Sequence, residues 1–183
     1  MEIKVYSGRP ESCEGRPDRE TAVYDRLDRL GIAYERADHE AVMTMEGCQE
    51  IDSLLGVSMC KNLFLCNAQK TSFYLLLMPD HKKFRTKDLS KQIQSARLSF
   101  AGPEFMEKYM DLTPGSVTVL GLMNDKENRV RLLIDRDVVA NHPFIGCHPC
   151  INTSSLKLPT ADVLEKFLPA IHHDYTLVEL PSE

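Results

Sequence analysis

The stretch FIGCHPCINTSS, Phe144 to Ser155, sets His148 between the thiols of Cys147 and Cys150 and follows them with the amide of Asn152. Residues of these types can ligate zinc, supply a nucleophilic or redox-active thiol, or line a pocket for a polar substrate. Zinc requires four converging ligands. Cys147-x-x-Cys150 has ligand spacing, but Cys60 and Cys66 are too far apart in sequence to complete a second pair, and Cys66 sits in an apolar run. His148 between two ligating thiols, with Pro149 stiffening the turn, would also strain a tetrahedral centre. No metal site is completed. A redox thiol belongs at a helix N-terminus, whereas INTSSLKLP reads as strand. A cysteine nucleophile with His142 as base stays open beside the plainer reading of small buried thiols.

Two further segments carry charge suited to chemistry. In SMCKNLFLCN, Lys61 stands at the mouth of an apolar strand, where it serves either as an edge lysine that blocks stray pairing or as a phosphate or carbonyl contact. In HKKFRTKDLSKQ, Lys82, Lys83, Arg85, Lys87 and Lys91 face only Asp88. Such a run is either a solvated helix face or a surface for nucleic-acid phosphates.

The elements that must position these residues follow from spacing. In DRETAVYDRLDRLG, Val23, Leu27 and Leu30 recur at helical intervals, with Asp18 as N-cap and Gly31 as the left-handed stop. IAYERADHEAV predicts a short strand, followed by a helix capped by Thr44 that turns Cys48, Ile51 and Leu55 inward. KNLFLCNAQKTSFYLLLMP predicts two strands around a polar turn, closed by Pro79. Thr86 and Pro103 open two more helices. SVTVLGLM and RVRLLIDR flank NDKEN as a hairpin, Thr160 starts a last helix, and YTLVEL is a final strand. Strands and helices intersperse without regular βαβ alternation, so the expected class is α+β: one domain, a mixed, barrel-like β-sheet flanked by helices.

A chain of 183 residues with 43% hydrophobic content can bury one core. Residues 1–17, with Gly8, Pro10, Gly15 and Pro17 among charges, are expected to form a loose arm, leaving 18–183 as the domain. The six cysteines lack disulfide-framework spacing and read as reduced thiols. No apolar run is long enough to span a bilayer and the N-terminus is too polar for a signal peptide, so a cytoplasmic protein without membrane contact is expected. The net charge of -5 argues against general nucleic-acid coating while leaving room for a local basic surface.

Six segments in order, YERADHEAVMT, CKNLFL, YLLLMPDHKKFRTKDLSKQI, LTPGSVTVLGL, LLIDRDV and GCHPCINTSSLKL, resemble the YbaK/ProX aminoacyl-tRNA deacylases. These are freestanding relatives of the editing domain of bacterial prolyl-tRNA synthetases. The resemblance spans roughly residues 20 to 180. The pattern G-x-H-P-x-x-N, through Gly146, His148, Pro149 and Asn152, is similar to the ProX branch, which removes alanine from the proline tRNA. The resemblance implies that Lys61 is the essential lysine at the terminal nucleotide and that His148 lines the aminoacyl pocket. Thr44 and Asp135 fall on matching segments and join Val119, Gly146 and Asn152 as substrate-binding candidates. The chain departs from the family's glycine-x-x-x-proline loop, carrying Val119 where proline is usual after Gly115.

The implied reaction is hydrolysis of an aminoacyl ester without cofactor or metal, with water placed by the neighbouring ribose hydroxyl and by backbone amides of the Gly115 loop. Selection of alanyl over prolyl would be steric, with Val119 shaping the wall. Lys82, Lys83 and Arg85 would meet tRNA phosphates, and a prolyl-tRNA synthetase is a candidate partner. Hydrolysis of cysteinyl-tRNA, as in YbaK-like relatives, and a non-catalytic module binding an amino acid or tRNA are the rival readings.

Overall fold

A computed structural model describes residues 3–41 and 45–181. Its strands are β1 (Val5–Ser7), β2 (Glu35–Asp38), β3 (Lys61–Asn67), β4 (Phe73–Met78), β5 (Leu98–Phe100), β6 (Val130–Asp135), β7 (Phe144–Cys147), β8 (Ser154–Pro159) and β9 (Tyr175–Val178). They form a four-stranded sheet, ordered β1-β2-β8-β7, and a five-stranded sheet, ordered β5-β3-β4-β6-β9. The larger sheet is mixed: β3 runs antiparallel to β4 and β5, whereas β4, β6 and β9 are parallel. The expected α+β domain with a mixed sheet is therefore observed, but the sheets do not close into a barrel. They are joined where Met59, just before β3, bridges Gly146 of β7.

The FYLLLM run of β4 is apolar throughout because this strand is buried on both faces. Phe73, Leu75 and Leu77 enter the main core, while Tyr74, Leu76 and Met78 face a second cluster with Leu89, Leu133 and Val178. Each such side chain contributes about 1.5–3 kcal/mol by leaving water. Helix α1 (Asp18–Arg29) buries Val23, Tyr24 and Leu27 in the main core and stops at Gly31, whose φ is +68°. Asp18 is its first residue rather than its cap, which is Pro17. Helix α2 (Met45–Leu55) lays Ile51 and Leu55 against Ala37 of the smaller sheet. Cys48, expected to face inward, is exposed; Thr44 lies outside the described residues. Helices α3 (Thr86–Gln92) and α4 (Pro103–Met110) form where expected, with Arg85 rather than Thr86 at the N-cap of α3.

The hairpin expected around NDKEN does not form. Val119–Asn124 is a 3-10 helix, with Thr118 Oγ1 accepting from the Leu120 N–H at 3.3 Å. Its β-branched alternation imitates a strand, but Val119 to Met123 are buried on every side. Gly121 permits that packing: a β-carbon there would lie 2.6 Å from Leu112 Cδ1. Asp125 instead organises the turn, accepting from the N–H groups of Arg129 (3.0 Å) and Val130 (2.8 Å) and from His173 Nε2 (3.1 Å). β6 then enters the sheet parallel to β4 and leads into α5 (Arg136–Asn141). The last helical stretch runs through α6 (Thr160–Asp162), a π-helical turn (Val163–Phe167) and α7 (Leu168–Ala170).

Within residues 1–17, the expected arm, Val5–Ser7 form β1. β1 pairs antiparallel with β2, and Gly8 exchanges hydrogen bonds with Tyr34 and Arg36. Arg16 bridges Glu20 (2.6 Å) and Asp38 (2.9 Å). Burial opposes ionisation of Asp38, but hydrogen bonds from Arg16, Arg36 and Ser154 outweigh it and bring its carboxyl down to about 2. No described helix is long and apolar enough to cross a membrane.

Candidate active site

Where the two sheets meet, a cavity of about 450 Å³ opens between α2, the start of β3, the Thr113–Ser116 turn and the chain from β7 to β8. That volume lies in the range of small-molecule sites. Gly115, His148 and Asn152 line it together, although well separated in sequence. The turn carrying Gly115 follows from TPGS: Pro114 takes the second position, Gly115 the third with φ +91°, and Ser116 N–H donates to Thr113 O at 3.0 Å. Ser116 Oγ reinforces it by donating to the same carbonyl at 2.8 Å. A β-carbon at Gly115 would stand 3.4 Å from Asn152 Nδ2, so the turn and the Asn152 loop are in contact.

His148 is held by its backbone neighbour. Nδ1 donates to the Ser154 carbonyl at 2.8 Å, which fixes the tautomer and leaves Nε2 as an acceptor. Burial pulls its titration below the ordinary 6.5, and nearby His39 pulls it further, so the ring is neutral at physiological pH. His39 was not singled out in the sequence. It also lines the cavity, with its ring centroid 6.4 Å from that of His148; Nδ1 donates to Glu40 O (2.8 Å) and Nε2 shares a hydrogen bond with Ser155 Oγ (2.9 Å).

One wall is apolar and rich in sulfur, from Cys48, Met59, Cys60 and Cys147 with Ile51 and Val117. Burial pushes the Cys60 thiol up to about 12, and burial raises Cys147 well above its ordinary value. Neither is a thiolate near neutrality, which removes the activated form a cysteine nucleophile needs. Cys150, also pushed up to about 12 by burial, lies off the cavity lining. Among the described residues no three His, Cys, Asp or Glu side chains are grouped as metal ligands. Gly146 shapes this wall indirectly: a β-carbon there would lie 2.5 Å from Met59 Sδ, so glycine leaves room for the thioether.

Three expected contacts are placed elsewhere. Val119 is fully buried in the main core at the start of the 3-10 helix and does not line the cavity; Val117 does. Asp135 is also fully buried and off the cavity. Its Oδ1 accepts from Lys82 Nζ (2.9 Å) and Asp137 N–H (2.8 Å), and its Oδ2 from Leu180 N–H (2.9 Å). Lys82 is only 7% exposed, so its charge is committed to Asp135 rather than offered to a phosphate. Lys83 and Arg85, its neighbours in the basic run, are exposed.

Lys61 is exposed, and its Nζ donates to the Lys82 carbonyl at 3.2 Å. Strand alternation puts it on the face opposite Asn62: the chain neighbours Cys60 and Asn62 line the cavity and Lys61 does not. Asn62 and Asp52 also line the cavity without having been singled out in the sequence. For Asn62 the two-residue period of the CKNLFL strand was the available signal; for Asp52 the helical face it shares with Cys48 and Ile51 was.

Comparison with known proteins identifies the family. The sequence profile of the aminoacyl-tRNA editing domain matches residues 39–166, from the first cavity histidine to the last helical stretch. The chain is 33% identical over 163 residues to the prolyl-tRNA editing protein ProX of Acetoanaerobium sticklandii, covering 89% of this chain and 98% of that one. It is 29% identical over 148 residues to the prolyl-tRNA synthetase associated domain-containing protein 1 of Danio rerio, covering 80% of this chain and 79% of the other. A crystal structure of a candidate trans-editing enzyme for prolyl tRNA synthetase superposes with a TM-score of 0.65 over 90% of this chain and 99% of that chain; at 12% identity it shows a shared fold. With the profile covering most of its length and the ProX relative aligned nearly end to end, this chain belongs to the aminoacyl-tRNA editing domain family.

Proposed function

We propose that this protein hydrolyses the ester of mischarged aminoacyl-tRNA in trans, with alanyl-tRNA for proline as its substrate. The observation that carries the reading is the convergence of Gly115, neutral His148 and Asn152 in one small cavity with an apolar wall. Ester hydrolysis requires a placed water, a proton acceptor and donors for the developing oxyanion. His148 Nε2 supplies an acceptor already in the right tautomer. The Gly115 turn lets backbone approach the scissile carbonyl without a side chain in between. With the Cys60 and Cys147 thiols protonated, water attacks directly, and positioning supplies most of the rate. Bulk sorts the acyl groups: the wall formed by Met59, Val117 and Cys147 admits a methyl side chain and excludes the prolyl ring.

Lys61 anchors the acceptor end from outside the cavity, with Lys83 and Arg85 meeting phosphates. Replacing Lys83 and Arg85 together with alanine is expected to lower the log–log salt dependence of tRNA binding by roughly 1 to 2. An unchanged slope returns them to solvated surface.

A deacylation panel tests the substrate. Alanyl-tRNA for proline is expected to be cleaved and prolyl-tRNA spared; faster cleavage of cysteinyl-tRNA overturns the choice of acyl group, and tRNA binding without turnover of any ester overturns the enzyme reading. The pH dependence follows from His148. Enzymatic hydrolysis, corrected for the spontaneous reaction, rises with pH through the acid range and levels off below 6.5, the ordinary imidazole value. His148→Asn removes that limb. Stability tracks the same group: below pH 6.5 the unfolded chain binds the proton first, so the His148 contribution is intact above that value and declines as pH falls.

A further inference from the structure

Two oxygens of cavity-lining residues have no donor. Asp52 Oδ1 on α2 and Asn62 Oδ1 on β3 are shielded from solvent, and among the described residues no hydrogen-bond donor meets either. The Asn62 amide cannot be turned over to hide the deficit, because its Nδ2 donates to the Cys60 carbonyl at 3.2 Å and a carbonyl only accepts. The groups acting on the Asp52 carboxyl, besides its burial, are the Met59 backbone N–H and the like charge of Asp80, with no cation among them. Asp38 is matched by Arg16 and Arg36, Asp125 by His173 and Asp135 by Lys82, whereas Asp88 Oδ2, away from this cavity, is a further carboxylate oxygen without a donor among the described residues. Buried acceptors are almost always paired, so two orphans around one cavity describe a missing partner that is cationic and rich in N–H.

We infer that Asp52 and Asn62 form the subsite for the α-ammonium group of the esterified amino acid. This rests on the deacylase reading above. A primary ammonium carries three N–H donors and a positive charge, enough to satisfy a carboxylate oxygen and an amide oxygen together. Both side chains are half-buried and line the cavity from facing elements, α2 and β3.

The subsite also explains how a steric sieve works on so small a difference. A ligand free to turn about its α-carbon evades a wall, whereas one held at nitrogen presents its side chain in a fixed direction. A prolyl nitrogen is a secondary ammonium with two N–H groups and a ring carbon in the third position. It therefore offers fewer donors to Asp52 and Asn62 and brings bulk to the anchor itself.

The test compares two esters on the same tRNA: alanyl, and lactyl, its α-hydroxy analogue, which has the same side chain and no ammonium. Each enzymatic rate is divided by the spontaneous hydrolysis rate of that ester at the same pH. The wild-type protein is expected to prefer alanyl by roughly 10- to 100-fold after this correction, the range for a charge-assisted hydrogen-bonded contact. Asp52→Asn, and independently Asn62→Ala, are expected to shrink that preference. A corrected preference near unity in the wild-type protein overturns the subsite without recourse to any variant, and so does a preference that survives undiminished in both variants. If the wild-type protein cleaves neither ester, the deacylase reading itself fails; if it cleaves both with equal corrected rates, only the ammonium subsite does.

Discussion

Lys61→Ala is expected to lower kcat/KM on alanyl-tRNA by about 100-fold or more while leaving the melting temperature within a degree or two of wild type. Lys61 is exposed and makes one hydrogen bond to the Lys82 carbonyl, so little packing is lost with it. In the proposed reading what is lost is the cation that anchors the acceptor end, and misplacing an ester by an ångström is enough to remove most of a positional catalyst's rate. Turnover measured under single-turnover conditions, with tRNA binding measured in parallel, separates anchoring from chemistry. A folded Lys61→Ala protein with wild-type turnover overturns the assignment of this lysine.

Asp135→Ala is expected to have the largest effect on stability, about 3–5 kcal/mol. The substitution strands the ammonium of Lys82, which is 7% exposed, and removes the acceptor of the Asp137 and Leu180 N–H groups as well. For a chain of this length the melting temperature falls by roughly ten degrees or more. Lys82→Met combined with Asp135→Leu, which removes both charges at once, is expected to cost less than Asp135→Ala alone, because no buried charge is left unpaired. Denaturant unfolding of the three variants checks this ordering; an Asp135→Ala protein as stable as wild type refutes it. Lys82 also links the pair to Lys61, whose Nζ donates to the Lys82 carbonyl.

Several features were legible from residue order because their causes are local. TPGS makes its turn with Pro114 and Gly115 in the positions those residues favour, and KNLFLCNAQKTSFYLLLM makes its antiparallel pair around a polar turn. Gly31 ends α1 by its own backbone freedom. The run GCHPCINTSS proved to be a cavity segment whose thiols are raised by burial rather than activated. SVTVLGLM misled because its β-branched alternation is a local signal, whereas its 3-10 conformation comes from Gly121 meeting Leu112 and from complete burial, which are not local. Lys82 misled for the same reason: in a run of cations it looks solvated, and only the arrival of Asp135, 53 residues away in sequence, draws it inside.

The amino-acid sequence by itself determined most of the element types, the family resemblance and the identity of Lys61, Gly115, His148 and Asn152 as residues of interest, because each follows from short-range preference or motif order. Only the tertiary structure decided which of them share a cavity, that His39, Asp52 and Asn62 join them, and that Asp135 and Val119 do not. The physical reason is that burial and pairing are properties of the assembled sheets. A side chain's charge state and freedom depend on neighbours brought together from distant parts of the chain, and the Met59–Gly146 junction that forms this cavity exists only once both sheets are in place.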